Sequence, residues 1–170
     1  MIQKKICMVG VFGTGKTCLV RQFVHSIFAA KYLSTVGVKI DRKDVESNGE
    51  TIRLMLWDIE GRDAVRDVNT SYVRGAHGII YVADGTRPET AAQVAELRDN
   101  VVREIGNVPS VIALNKVDLV NEWKVSPDDE NALHASGLNV LRTSAKTGEG
   151  VESAFQLLTD TIMKLEGGRA

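Results

Sequence analysis

Residues 10–17 read GVFGTGKT and directly follow the apolar run Ile6-Cys7-Met8-Val9. The spacing is G-x-x-x-x-G-K-[ST], a glycine-rich turn handing a short strand over to a helix. A helix is expected over Thr17–Phe28, because Leu19, Val20, Phe23, Val24 and Ile27 recur at helical spacing. Glycine lets the backbone wrap closely, so the N–H groups of Gly13, Thr14, Gly15, Lys16 and Thr17 should point inward around phosphates. The helix start adds its positive end. Lys16 supplies a charge for the outer phosphates, and the Thr17 hydroxyl is placed for Mg²⁺.

Working outward, strand and helix patterns alternate. Val36–Val45 and Thr51–Trp57 read as strands joined at Asn48-Gly49, a hairpin signal because both residues tolerate positive φ. Gly78–Asp84 is an almost wholly apolar strand. Thr86 should cap a helix with Pro88 in its first turn and Glu89 closing a capping box. The stripe of that helix is Val94, Leu97, Val101 and Ile105, and Gly106 stops it. Val111–Leu114 is a further strand, Ser126 caps a shorter helix ending at Gly137, and Val140-Leu141 is the last strand. Val151, Ala154, Phe155, Leu158, Ile162 and Leu165 stripe a final helix. Apolar strands alternating with helices imply a parallel α/β sheet covered on both faces, with one antiparallel edge hairpin. Ligands of such sheets sit at the carboxyl ends of the strands.

The 170 residues suit one domain spanning 1–170. With 44% hydrophobic and 25% charged residues, the composition is that of a globular protein. Net charge is −1 and the pI about 6.3, so no basic footprint for nucleic acid or an anionic membrane exists. No run approaches the ~18 apolar residues of a membrane span. The end, MKLEGGRA, holds no cysteine for a prenyl group, so no intrinsic membrane anchor is expected. Cys7 and Cys18 follow no metal-ligand spacing and read as buried reduced thiols of a cytoplasmic protein. His25, His77 and His134 form no ligand cluster. Trp57 suits either core packing or a partner contact, and Trp123 falls in a loop without an evident role.

Two segments at strand ends select the base. Asn115-Lys116-Val117-Asp118 follows one strand and Thr143-Ser144-Ala145-Lys146 follows another. A carboxylate such as Asp118 accepts two hydrogen bonds side by side. Guanine offers that pair of donors on its Watson–Crick edge, whereas adenine offers a donor beside an acceptor. An aspartate there selects guanine and leaves adenine facing an unmet charge.

Together these motifs resemble the Ras-like small GTPases over about residues 2–165, with the Rab branch nearest and a bacterial relative compatible. Ser34-Thr35-Val36-Gly37-Val38, the Trp57-Asp58 pair and Tyr72–Ile80 (YVRGAHGII) resemble Rab patterns. The resemblance implies a three-layer α/β/α P-loop fold, with a six-stranded, mostly parallel sheet, one antiparallel edge strand and about five helices. It implies GTP/GDP and Mg²⁺ as ligands. Cys18 would lie in the GTP site, Phe28 against the guanine edge and Tyr32 over the phosphates. Thr35 would join Thr17 at Mg²⁺ and touch the γ-phosphate, and Asp58 would hold the metal through a water. The Gly61 amide would bond the γ-phosphate, Lys116 and Lys146 would lie along the base, Ser144 would brace Asp118, and the Ala145 amide would bind the guanine oxygen. Lys16, Thr35, Gly61 and residue 62 would serve catalysis. Release of the segments around Thr35 and Gly61 on γ-phosphate loss would be the switch. Effector, exchange-factor and GTPase-activating partners would engage residues 32–40 and 58–75.

The departures fall on hydrolysis. Where the family carries a water-orienting glutamine this chain has Arg62, which has five donors and no acceptor. Glu60 replaces the usual alanine, and Phe12 stands where relatives have a small residue. Two readings follow: a GTPase switch that turns over slowly without a partner, or a GTP-dependent binding module with little or no hydrolysis.

Overall fold

The computed structural model of the chain describes residues 1–28, 37–59 and 69–168. Tyr32, Thr35, Glu60, Gly61 and Arg62, and the expected strand start at Val36, lie outside the described residues. The element order is β1 (Ile2–Val9), α1 (Lys16–His25), β2 (Val38–Ser47), β3 (Glu50–Ile59), β4 (Gly78–Asp84), α2 (Pro88–Ala92), α3 (Val94–Ile105), β5 (Ser110–Asn115), α4 (Pro127–His134), β6 (Asn139–Thr143) and α5 (Val151–Gly167). Short 3₁₀ turns cover Thr70–Val73 and Val120–Glu122.

The six strands lie in the order β2-β3-β1-β4-β5-β6. Only β2 and β3 are antiparallel, and every other pair is parallel. Asn48 and Gly49 turn that hairpin at φ 51° and 79°, the positive angles their side chains tolerate. All seven residues of β4 are buried, as a strand covered on both faces must be. On one face Ile6, Met8, Ile80, Val82, Leu19 and Phe155 share a core; on the other, Cys7, Val9, Ile79, Tyr81, Leu97 and Leu114 do. Phe23 of α1 stacks on Phe155 of α5, ring centroids 3.9 Å apart, which ties the helix after the glycine-rich turn to the last helix.

Three local expectations need correction. The helix expected from Thr86 to Ile105 is divided at Gln93 into α2 and α3. Thr86 is not its cap: Arg87 occupies the N-cap and its side chain does not cap the helix, and the Thr86 hydroxyl donates instead to Asp84 at 2.6 Å. Cys18 is only half-buried, packed at the margin of the core that Leu19, Val20 and Phe23 of α1 enter. The α4 cap forms as expected, with Ser126 and Asp129 closing a capping box. Trp123, whose sequence showed no role, lies flat over Gly85, where an added Cβ would meet its ring at 2.0 Å. Among the described residues no helix is long and apolar enough to cross a membrane.

Candidate nucleotide-binding site

The glycine-rich turn sits where β1 ends, between the ends of β3 and β4. Backbone crowding explains its glycines. A Cβ on Gly10 would come within 2.6 Å of the Val82 carbonyl oxygen. One on Gly15 would meet Asn115 Nδ2 at 2.3 Å, and Gly15 also sits at φ +102°. Consecutive carbonyls of the turn are held from outside. Asn115 Nδ2 donates to the Thr14 oxygen at 3.1 Å, and Lys116 Nζ donates to the Gly13 oxygen at 3.0 Å. In a planar trans peptide the C=O and the following N–H point in opposite directions. Holding these oxygens outward therefore turns the Thr14 and Gly15 N–H groups the other way, into a concave anion nest.

Lys16 opens α1 yet is only 6% exposed, and its ammonium donates to the Val11 oxygen at 3.1 Å. Burial pushes its pKa down to about 8, against the opposing pull of Asp58 and together with the repulsion of Arg87. A cation kept this dry is costly unless an anion approaches it. Beside it, the Thr17 hydroxyl donates to Asp58 Oδ2 at 2.5 Å, with Asp58 1% exposed near the end of β3. Among the described residues no cluster of three or more His, Cys, Asp or Glu is poised for a metal. A hydroxyl and one carboxylate beside a phosphate cradle is nevertheless the hard, sparse oxygen set that Mg²⁺ takes with substrate phosphates. These residues fit both groups.

The two base-reading segments meet at the ends of β5 and β6. Thr143 Oγ1 donates to Asn115 Oδ1 at 3.1 Å, which orients the amide that holds Thr14. Lys116 bends the chain at φ 72°, an angle uncommon for a side chain of its size. Ser144 Oγ donates to Asp118 Oδ1 at 2.7 Å, and the Thr147 N–H donates to Ser144 Oγ at 3.0 Å. The loop around Ala145 closes through Ser144 N–H to Glu149 O at 2.9 Å and Gly148 N–H to Ser144 O at 2.8 Å. Ala145 is buried, Lys146 is exposed, and Phe28, 41% exposed, lies at the border of the described residues.

The structure adds two residues that the sequence reading passed over, Asp84 and Arg87. Asp84, the last residue of β4, is 1% exposed. Its Oδ1 accepts from the Thr86 N–H at 2.8 Å and from the Thr86 hydroxyl. Its Oδ2 accepts from Lys116 Nζ at 2.8 Å and Arg87 Nε at 3.0 Å. Burial raises its pKa, but bonds from Lys116 and Thr86 outweigh that and hold the carboxyl below its ordinary value. The signal was present in GIIYVAD: an acid closing an apolar strand at the ligand edge must find cations there. Its partners lie 3 and 32 positions further on, and no local pattern names them.

A model of the Ras family matches residues 5–164. The Ras-related protein RABD2c of Arabidopsis thaliana is 36% identical over 160 residues, covering 93% of this chain and 79% of that protein. The Ras-related protein RIC1 of Oryza sativa subsp. japonica is 37% identical over the same span and shares, and RABD2b of Arabidopsis thaliana is 36% identical. The chain belongs to the Ras family of small GTPases, on its Rab side, and is a guanine-nucleotide-binding switch that hydrolyses GTP.

Proposed function

We propose that this chain, as one domain acting in the cytoplasm, binds GTP and GDP with Mg²⁺ through the residues at the carboxyl ends of β1, β3, β5 and β6. The observation that carries the assignment is the buried polar set converging there: Lys16, Asp58, Asn115 and Ser144, each nine-tenths or more covered. Buried polar groups gathered at one sheet edge suit a ligand that supplies phosphates, a cation and a purine. The N–H groups of residues 13–17 and the Lys16 ammonium take the phosphates. Asp118, braced by Ser144, takes the guanine edge; the Ala145 amide, Lys116, Lys146 and Phe28 surround the base, and Cys18 lies beside it.

Thr17 and Thr35 would hold Mg²⁺ directly and Asp58 through a water. The ion supplies charge neutralisation for the phosphate oxygens. Lys16 keeps its proton once phosphate replaces lost hydration, and so offsets charge on the transferring group. Tyr32 would cover the phosphates and the Gly61 amide would meet the outermost one. Hydrolysis further needs a water oriented for attack, and a group that accepts that water's proton or hydrogen bond orients it. Arg62 has no acceptor, so intrinsic turnover is slow and a partner supplies what is missing. Effectors, exchange factors and activating proteins engage residues 32–40 and 58–75. Ile40, 47% exposed, and Trp57, with Lys5 Nζ 3.6 Å from its ring centroid, give the described part of that surface an apolar centre beside a charge.

Single-turnover GTP hydrolysis of the wild type and of Arg62→Gln tests the rate assignment. The glutamine variant should be faster by on the order of tenfold or more, with the 10²–10⁴ that a positioned acid–base group contributes as the upper range. A variant no faster than wild type contradicts the role assigned to residue 62.

A further inference from the structure

The nest described above has two carbonyls turned outward by the base-reading segment. The structure holds a third, one residue earlier. Arg87 Nη2 donates to the Phe12 oxygen at 2.8 Å while Arg87 Nε donates to Asp84 Oδ2 at 3.0 Å. The same Oδ2 holds Lys116 Nζ at 2.8 Å, and Lys116 holds the Gly13 oxygen. One buried carboxylate thus anchors two cations that grip neighbouring carbonyls of the phosphate loop. The guanidinium is suited to this, because its planar fork offers Nε and Nη2 donors in fixed directions. The anchor is itself fixed: Thr86 fills the other carboxylate oxygen, and the Thr90 hydroxyl accepts from the Asp84 N–H at 2.8 Å.

Resting on the nucleotide-site reading above, we propose that Arg87 is a positioning residue for GTP hydrolysis, acting through the Phe12–Gly13 peptide. The geometry is that of any trans peptide. With the Phe12 oxygen drawn outward to Arg87, the Gly13 N–H points the opposite way, into the nest. Gly13, at φ 77°, has the backbone freedom to adopt either orientation of that peptide, so an external clamp decides between them. The row of inward donors therefore begins at Gly13 and continues through Thr14 and Gly15, where Asn115 and Lys116 alone would begin it at Thr14. Asp84 couples the two ends of the site, since anything that pulls on Lys116 at the base also pulls on the carboxylate that holds Arg87.

The test compares wild type, Arg87→Ala and Arg87→Lys. Its direct readout is the Gly13 amide in a two-dimensional ¹H–¹⁵N spectrum, taken without nucleotide and with GDP and Mg²⁺. In the wild type this amide should shift and exchange slowly with solvent on GDP addition. In both variants it should not, because lysine keeps the charge but lacks the fork. Single-turnover GTP hydrolysis should fall on the order of tenfold in both, less than the 10²–10³ lost when a donor is removed outright. GDP affinity should fall by no more than about tenfold, as one of five phosphate donors is lost, and the thermal midpoint should change little. A wild-type Gly13 signature in Arg87→Ala overturns the proposal, whatever the rate does; with slowed hydrolysis that result would mean Arg87 touches the phosphates directly. Full rescue by lysine also overturns it, since charge alone would then suffice. Failure of the wild type to bind GDP would instead remove the nucleotide reading.

Discussion

The two ends of this sheet are built on different principles. At the carboxyl ends of the strands, charged and polar groups are buried: Lys16, Asp58, Asp84, Asn115, Thr143 and Ser144. At the other end and along the β2–α5 flank, charges pair in the open, as in Lys4–Glu166 at 2.6 Å, Lys43–Glu152 at 3.4 Å and Arg74–Glu104 at 2.5 Å. Exposed pairs contribute about 0–1 kcal/mol each, and the fold loses little without them. Buried ones cost desolvation that a hydrophobic replacement would avoid. Among the described residues the buried charges, Lys16, Asp58 and Asp84, all lie at the carboxyl edge, where a ligand would meet them.

Replacing groups at the two ends should therefore have opposite consequences. The largest effect is expected from Asp118→Asn. An amide in place of the carboxylate can no longer accept both guanine donors, so GDP affinity should fall on the order of 10²–10⁴-fold. Xanthosine diphosphate, whose ring carries an oxygen where guanine carries its amino group, should bind the variant better than the wild type. Competition titration with both nucleotides checks this, and a variant that still prefers GDP would break the assignment of Asp118. Ser144→Ala is gentler. It removes the 2.7 Å bond that aims Asp118 and the acceptor for the Thr147 N–H. GDP affinity should drop about tenfold, near the cost of one buried bond, with ADP affinity unchanged.

The smallest effect belongs to the far end. His77 Nδ1 accepts the Lys5 N–H at 2.9 Å where β1 and β4 begin to pair. That bond needs the neutral ring, and burial, helped by Lys4, pushes its pKa below the ordinary 6.5. As pH falls below 6.5, the unfolded chain takes up a proton that the folded chain resists. Stability contributed by the neutral ring is present above pH 6.5 and lost as the pH drops. Urea midpoints between pH 7.5 and 5.5 should decline more for wild type than for His77→Asn, whose amide oxygen accepts without titrating. Equal slopes would remove His77 from the account. GDP affinity should be the same in both proteins, because this end does not touch the nucleotide site.

The sequence made the sheet and most of this contrast legible. Gly10–Thr17 is contiguous, and its glycines, lysine and threonine occupy the positions their chemistry requires. Asp118 and Ser144 were readable because each lies in a tetrapeptide at a strand end. Their 2.7 Å bond spans 26 positions and was expected from the family resemblance, not from spacing. Asp84 and Arg87 were missed for a physical reason. Thr86-Arg87-Pro88-Glu89 has the local pattern of a capped helix start, and the Thr86 hydroxyl can bond either its own helix or a preceding acid. Burial of Asp84 decides for the acid, and burial is tertiary information. The division of the expected helix at Gln93 was hidden likewise, since Ala91-Ala92-Gln93 holds no glycine or proline to mark a break.

The most direct test of the central claim is titration calorimetry of the wild-type chain with GDP and with ADP in the presence of Mg²⁺. The buried polar edge, with Asp118 braced by Ser144, calls for GDP to bind more tightly by on the order of 10³-fold or more. Equal affinities, or a preference for ADP, would contradict it.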